Sequence, residues 1–131
     1  MPEHARSDRD LVARKATAAL LWGLPLAAVI VTGAAPVGIT ARTITWTAAL
    51  LGAGVGCVVN ARRSGRLHCH LTGPFFLVLA AASWLHGTGR LSLGDYGWPL
   101  IGAALAIGMP LLTFVPERIW GTYGRGRGGC C

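Results

Sequence analysis

One short stretch, residues 60–70 (NARRSGRLHCH), indicates how this chain is built. It holds three arginines and separates two apolar runs, residues 44–59 and 74–85. Clustered Lys and Arg residues between apolar segments are typical of the loops that membrane proteins keep in the cytoplasm. We therefore predict that residues 60–70 form a cytoplasmic loop joining two membrane-spanning helices.

Long apolar blocks make up most of the 131-residue chain, of which 53% is hydrophobic and 13% is charged. A soluble domain has about 25% charged residues, and a helix that crosses a bilayer needs about 20 mostly apolar residues. The blocks predict an all-α integral membrane bundle of four transmembrane helices. The predicted helices cover residues 14–32, 43–60, 73–88 and 97–115.

The third block is the shortest of the four. His86, Gly87 and Gly89 interrupt it before Leu91. A re-entrant or partly interfacial segment is the alternative to a full transmembrane helix at this position.

The basic residues alternate from one side of the predicted bundle to the other. Ten of the 12 Lys and Arg residues precede the first apolar block, lie in residues 60–70 or follow the fourth block. The other two connections hold one arginine each, Arg42 and Arg90. The positive-inside rule then places both termini in the cytoplasm. The excess of arginine over lysine is typical of GC-rich bacterial genomes, so we predict the bacterial inner membrane.

Nucleic acid is excluded as a partner despite the net charge of +7. Proteins that bind nucleic acid gather their basic residues on one face of a folded domain, whereas here these residues flank the apolar blocks. The bilayer itself is the predicted partner.

The predicted bundle, residues 13–118, lies between two tails. Residues 1–12 are charged and predict a cytoplasmic N-terminal tail, and residues 119–131 predict a flexible Gly- and Arg-rich tail that ends in Cys130 and Cys131. A cleavable signal peptide is the alternative for the N-terminus, since a basic pair, an apolar run and small residues follow one another there.

Small residues recur every four positions in two of the predicted helices. Ala48, Gly52 and Gly56 share one face of the second helix, and Ala104 and Gly108 share one face of the fourth. Small residues let helix backbones approach closely in lipid, where no hydrophobic force drives association. We expect both faces to pack within the bundle.

Cysteine and histidine supply the candidate metal ligands. The predicted topology places all four cysteines on the cytoplasmic side, where thiols stay reduced. Thiolates bind thiophilic ions such as Hg(II), Cu(I) and Zn(II), and imidazole binds several of the same metals. In an extended segment Cys69 would point away from both neighbouring histidines, so a site there needs ligands from elsewhere. The candidate ligands are Cys130, Cys131, Cys69, His68, His70 and Cys57.

Groups suited to catalysis are sparse. The four apolar blocks, residues 16–31, 44–59, 74–85 and 98–115, contain no Lys, Arg, Asp or Glu, and the sequence shows neither an acid pair nor a Ser/His/Asp set. Ionisable residues inside a membrane mark proton relays and ion pathways. We therefore expect neither an enzyme nor a proton-coupled carrier.

Residues 60–77 (NARRSGRLHCHLTGPFFL), with Pro116-Glu117-Arg118, resemble a group of small uncharacterised multi-pass membrane proteins of bacteria and archaea. Members of that group often have a cysteine where this chain has Ser64. More loosely, the small size and the terminal cysteine pair resemble the mercuric-ion transport proteins of mercury-resistance operons. Those proteins carry a cysteine pair in the first helix, which this chain lacks, so the match is confined to Cys130 and Cys131.

Two functions remain open at this point. The chain could bind or transport a thiophilic heavy-metal ion through its cytoplasmic Cys and His residues, with a thiol protein or a second copy as partner. Alternatively, it is a structural or assembly protein whose basic loop binds anionic lipid or a protein through Arg62, Arg63 and Arg66. Juxtamembrane Lys and Arg residues gain about 1 kcal/mol each at an anionic surface.

Overall fold

The computed structural model describes residues 15–121, and this part of the chain is helical, with no β-strand. Four helices in it are long and apolar enough to cross a membrane, as the sequence predicts, and they are compatible with a multi-pass membrane protein. The two predicted tails lie almost wholly outside the described residues. The helices are α1 (Lys15–Ala34), α2 (Ile39–Ser64), α3 (Leu67–Gly87) and α4 (Gly97–Trp120).

Helix α1 contains one wider turn. Residues Ala19–Gly23 are π-helical, and the backbone N–H of Leu24 bonds to the carbonyl of Ala19. Pro25 follows directly. A proline inside a helix lacks an N–H and clashes with the carbonyl four residues before it, so the wider turn lies where the regular ladder is interrupted.

The predicted loop at residues 60–70 is mostly helical, which corrects the sequence interpretation. Helix α2 continues to Ser64, and α3 begins at Leu67. The reversal is made by Gly65, whose φ of 69° is left-handed and whose N–H bonds to the carbonyl of Ala61 at 2.8 Å. Glycine commonly ends helices in this conformation because it has no Cβ. Two residues therefore suffice where eleven were predicted.

Three helices are also longer than predicted. Helix α2 begins at Ile39 instead of residue 43, and α3 begins at Leu67 instead of residue 73. Helix α4 continues past residue 115 through Pro116 to Trp120. By length and composition, α3 is thus a candidate membrane span like the other three. The polar residues at these helix ends hid the extensions, because they fall outside the apolar blocks.

Helices α2 and α3 form the tightly packed centre of the bundle. A Cβ added at Gly54 would lie 2.9 Å from a methyl carbon of Leu77, and one added at Gly73 would lie 2.8 Å from a methyl carbon of Val58. A Cβ at Gly87 would overlap Thr43. These glycines let the two backbones approach closely.

Of the two small-residue faces that were predicted to pack within the bundle, one does so only in part. Gly52 is exposed, with nothing within 4 Å of an added Cβ, so the face through Ala48 and Gly52 does not pack on a neighbouring helix. Gly56 of the same set does face Trp22 of α1. In α4, a Cβ at Gly108 would overlap the ring of Phe75, so this glycine packs on α3 as predicted.

Each outer helix packs on one member of this central pair. Helix α1 packs on α2, and α4 packs on α3. The gap between α1 and α4 is lined by apolar side chains of both helices and by Trp46 of α2. The fold therefore leaves a groove along one side of the central pair.

Candidate functional site

Two buried thiols meet where α2 and α3 pack together. Cys57 of α2 is 2% exposed and Cys69 of α3 is fully buried, and their thiols hydrogen-bond to each other. Gly73, one turn after Cys69, makes this approach possible, because a Cβ there would lie 2.8 Å from a methyl carbon of Val58, the residue next to Cys57. We refer to Cys57 and Cys69 as the thiol pair.

Hydrogen-bond donors surround both sulfur atoms. The indole Nε1–H of Trp22 donates to Cys57 Sγ at 3.0 Å, and the hydroxyl of Thr72 donates to the same sulfur at 3.5 Å. The side-chain amide of Asn60 donates to Cys69 Sγ at 3.4 Å. Donors aimed at sulfur stabilise negative charge on it. Each sulfur of the thiol pair therefore accepts at least one hydrogen bond from a neighbouring side chain.

A chain of polar contacts connects the thiol pair to α4. His68 Nε2 lies 3.4 Å from Cys69 Sγ, and His68 Nδ1 lies 2.6 Å from Glu117 Oε1. Arg66 donates from Nε to the same carboxylate oxygen at 3.0 Å. The order is thiol, imidazole, carboxylate and guanidinium. A carboxylate on the far nitrogen of a histidine fixes the orientation of the ring, so Glu117 positions His68 toward the sulfur.

The site opens onto a cavity of about 190 Å³. Cys57 lines this cavity, whereas Cys69 lies behind it. The other lining side chains are mixed in character, and they include Trp22, His68 and Met109. Thioether sulfur and imidazole are, like thiolates, ligands of soft metal ions. Cys57 is thus the thiol that an entering ion would meet first.

The predicted ligands separate into three groups. Cys57, Cys69 and His68 are neighbours and buried, whereas His70 is exposed on the first turn of α3. Cys130 and Cys131 lie outside the described residues. Within residues 15–121, no group of three or more His, Cys, Asp or Glu side chains is arranged to hold a metal ion. The described part of the site therefore offers a pair of sulfur ligands.

The predicted basic residues also have different surroundings. Arg62 and Arg63 are exposed at the end of α2. Arg66 instead forms an ion pair with Glu117, with both side chains less than a fifth exposed. Arg62 and Arg63 are available to an outside surface, while Arg66 ties α3 to α4.

Sequence reasoning missed four contributors: Trp22, Asn60, Thr72 and Glu117. Asn60 could have been found, because it is three residues after Cys57 and so shares a helical face with it. Thr72 stands in the same relation to Cys69 once that segment is interpreted as helical. Trp22 and Glu117 belong to other helices, and no spacing in the sequence connects them to the cysteines.

No family model, curated protein or solved structure matches this chain. The resemblances to small multi-pass proteins and to mercuric-ion transport proteins stay predictions from the sequence. Function is therefore inferred from the chemistry of the thiol pair and its neighbours.

Proposed function

We propose that this chain is a small multi-pass protein of the bacterial inner membrane that binds a thiophilic cation between Cys57 and Cys69. The observation that carries the proposal is the contact of two buried thiols on adjacent helices, one of which lines a cavity. Thiolates select soft ions such as Cu(I), and Hg(II) is of the same class. The cation is the cargo or ligand of the site.

The number of ligands favours Hg(II) or Cu(I) over Zn(II). Both of the former accept two thiolates in a linear arrangement, whereas structural zinc requires four protein ligands in a tetrahedron. Residues 15–121 provide two thiols in contact and no larger cluster suited to a metal.

Metal binding at a thiol pair must release protons, because the ligands bind as thiolates. His68 Nε2 lies 3.4 Å from Cys69 Sγ and is placed to accept one of these protons, while the other can leave through the cavity that Cys57 lines. Glu117, hydrogen-bonded to the other ring nitrogen, would stabilise the imidazolium that forms. The N–H groups of Trp22 and Asn60 would then stabilise the negative charge left on the two sulfur atoms.

The charge pattern supports a cytoplasmic position for this site. The thiol pair lies at the end of the bundle where Arg62 and Arg63 are exposed, and clustered arginines favour the cytoplasmic side. Helix α4 also ends there, at Trp120, ten residues before Cys130. We propose that Cys130 and Cys131 exchange the ion with the thiol pair by thiolate substitution.

The test is a titration of the reduced, detergent-purified chain with Hg(II) or Cu(I) in which Cys130 and Cys131 are replaced by Ser. We expect one ion per chain, bridged by both remaining thiols, with the ultraviolet sulfur-to-metal absorption of a two-thiolate complex. Adding either Cys57→Ser or Cys69→Ser should abolish that absorption. His70→Ala is the matched control and should leave it unchanged.

Two results would overturn the proposal. One is binding of two ions per chain, which would mean that the thiols act independently. The other is a micromolar or weaker affinity that either serine replacement leaves unaltered, since this would place the ion elsewhere.

The alternative function, a basic surface for anionic lipid or a protein partner, is favoured by the exposure of Arg62 and Arg63. Each could gain about 1 kcal/mol at an anionic surface. This surface and the thiol pair use different residues at the same end of the bundle, so both can operate in one molecule.

A further inference from the structure

Three cavities follow one another along the gap between α1 and α4. The cavity at the thiol pair shares Met109 with a second cavity of about 340 Å³. That second cavity shares Gly33, Trp46 and Gly102 with a third cavity of about 220 Å³. The middle cavity thus shares lining residues with both of the others, and we call the three cavities together the α1–α4 groove.

The groove runs most of the length of the bundle. Its walls are α1 and α4, and its floor is α2 between Arg42 and Cys57, with side chains of α3 beside the thiol pair. These two residues are 15 positions apart, about 22 Å along a helix that rises 1.5 Å per residue. Such a length is a large part of the ~30 Å hydrocarbon thickness of a bilayer.

The middle of the groove accepts hydrocarbon. Its lining side chains are aliphatic, apart from Met109 and the indole of Trp46, whose N–H is already donated to Thr32 at 3.2 Å. A polar ligand group there would lose its hydrogen bonds to water without replacement. The chemistry of this section therefore selects an alkyl chain.

The end of the groove away from the thiol pair carries a positive charge. Arg42 lies there with its guanidinium 6.0 Å from the ring centroid of Trp98. Its Nε and Nη2 donate to the carbonyls of Thr32 and Ala35 at the end of α1. Within residues 15–121 it forms no ion pair with a carboxylate. A guanidinium has five N–H donors, so donors and net charge remain for an anion.

We propose that the α1–α4 groove binds one acyl chain of an anionic phospholipid, whose phosphate lies at Arg42. The inference rests on the proposed location of the chain in a membrane. Apolar lining in the middle and a cation at one mouth match the two halves of such a lipid. Arginine forms strong, charge-assisted hydrogen bonds with phosphate.

A helix of a second copy fits the groove less well than an alkyl chain. The apolar blocks of a second copy contain no Asp or Glu that could pair with Arg42, whereas the phosphate of a lipid can. An alkyl chain can also lie against Met109, the residue shared by the first two cavities.

The test is native mass spectrometry of the full chain in detergent, after incubation with phosphatidylglycerol, phosphatidylcholine or palmitic acid at equal concentrations. We expect retention of one phosphatidylglycerol per chain in preference to the other two. Arg42→Gln should weaken this retention about fivefold, the loss expected for one arginine at an anionic lipid. Arg90→Gln, at the same end but outside the groove, should have no effect.

A second pair of variants tests the position of the acyl chain. Ala106 lines the groove, whereas Ala103, on the same helix, does not, and both are exposed, so either position tolerates a ring. Ala106→Phe should displace the lipid, and Ala103→Phe should not.

Equal retention of phosphatidylcholine, preference for palmitic acid, or equal behaviour of the two phenylalanine variants would overturn the proposal. A parallel titration with Hg(II), on the same variants with Cys130 and Cys131 also replaced by Ser, separates this inference from the proposed function. Loss of lipid retention with an intact two-thiolate signal rejects the lipid site alone. Intact lipid retention without that signal rejects the metal site alone.

Discussion

In α2 and α3, 39% and 44% of the most apolar 18-residue window is buried, whereas in α1 and α4 the buried shares are 6% and 11%. The four helices are all apolar enough to cross a membrane. Apolarity alone therefore does not decide which helices pack closely. Helices α2 and α3 pack closely because each has a glycine opposite a large side chain of the other. Gly54 of α2 faces Leu77 of α3, and Gly73 of α3 faces Val58 of α2.

The surrounding lipid explains why apolarity does not decide which helices pack closely. In lipid, an exposed Leu or Ile loses nothing, so helices associate through close packing and interhelical hydrogen bonds. The central pair has both, and it buries polar side chains such as Asn60 and Thr72 that bond within it. Helix α1 holds to the centre with few such contacts, among them the bond from Trp22 to Cys57.

The largest effect is expected from breaking the central pair at Gly73. In Gly73→Leu, the new Cβ would meet a methyl carbon of Val58 at 2.8 Å and its backbone nitrogen at 3.3 Å. Val58 is β-branched and cannot rotate freely away from the new side chain, so α2 and α3 must separate. We expect the free energy of unfolding to fall by about 1–3 kcal/mol, measured by denaturation with sodium dodecyl sulfate in mixed micelles.

Gly52→Leu is the matched control for that variant. An added Cβ at Gly52 meets nothing within 4 Å, and Leu has a higher helix propensity than Gly, so this change should leave stability unchanged or raise it slightly. Equal destabilisation by both substitutions would show that the α2–α3 contact at Gly73 is not packed more tightly than the exposed surface at Gly52.

A smaller effect is expected where the centre meets α4. In Glu117→Gln the side chain keeps its shape but loses the charge that Arg66 and His68 contact at 3.0 and 2.6 Å. We expect a loss of about 1.5 kcal/mol in the free energy of unfolding, typical of a hydrogen bond to a charged group. Arg118→Gln changes an exposed neighbour on the same turn and should be neutral. Unchanged stability in Glu117→Gln would mean that α4 is held by packing alone.

The smallest effect is expected at the attachment of α1. Trp22→Phe keeps an aromatic ring but removes the N–H that donates to Cys57 at 3.0 Å. Interhelical hydrogen bonds in membranes are worth about 0.6 kcal/mol. Because that donor stabilises negative charge on the sulfur and the thiolate is the form that reacts, alkylation of Cys57 should slow about threefold, measured by mass spectrometry in a chain with Cys130 and Cys131 replaced by Ser. Trp120→Phe, at an exposed position, should leave the rate unchanged, and an equal rate in both variants would remove the role of Trp22.

The sequence predicted the helices well and their ends poorly. The four apolar blocks were identifiable because lipid-facing helices must be apolar over their length. The predicted helices did not include Ser64, Leu67 and Glu117. These residues lie in or beside polar segments, and polar residues at helix ends resemble those of loops. For the same reason His68 and Cys69 were assigned to an extended loop, although both belong to the first turn of α3.

The sequence by itself determined that this chain forms four long apolar helices separated by short polar connections. It also singled out Cys57, Cys69 and His68 as chemically notable residues. Only the tertiary structure decided that the two thiols touch, that Glu117 orients His68, and that α1 and α4 leave a groove between them. The physical reason is that composition determines whether a helix can lie in a bilayer. Contacts between helices depend instead on which face of each helix packs against its neighbour.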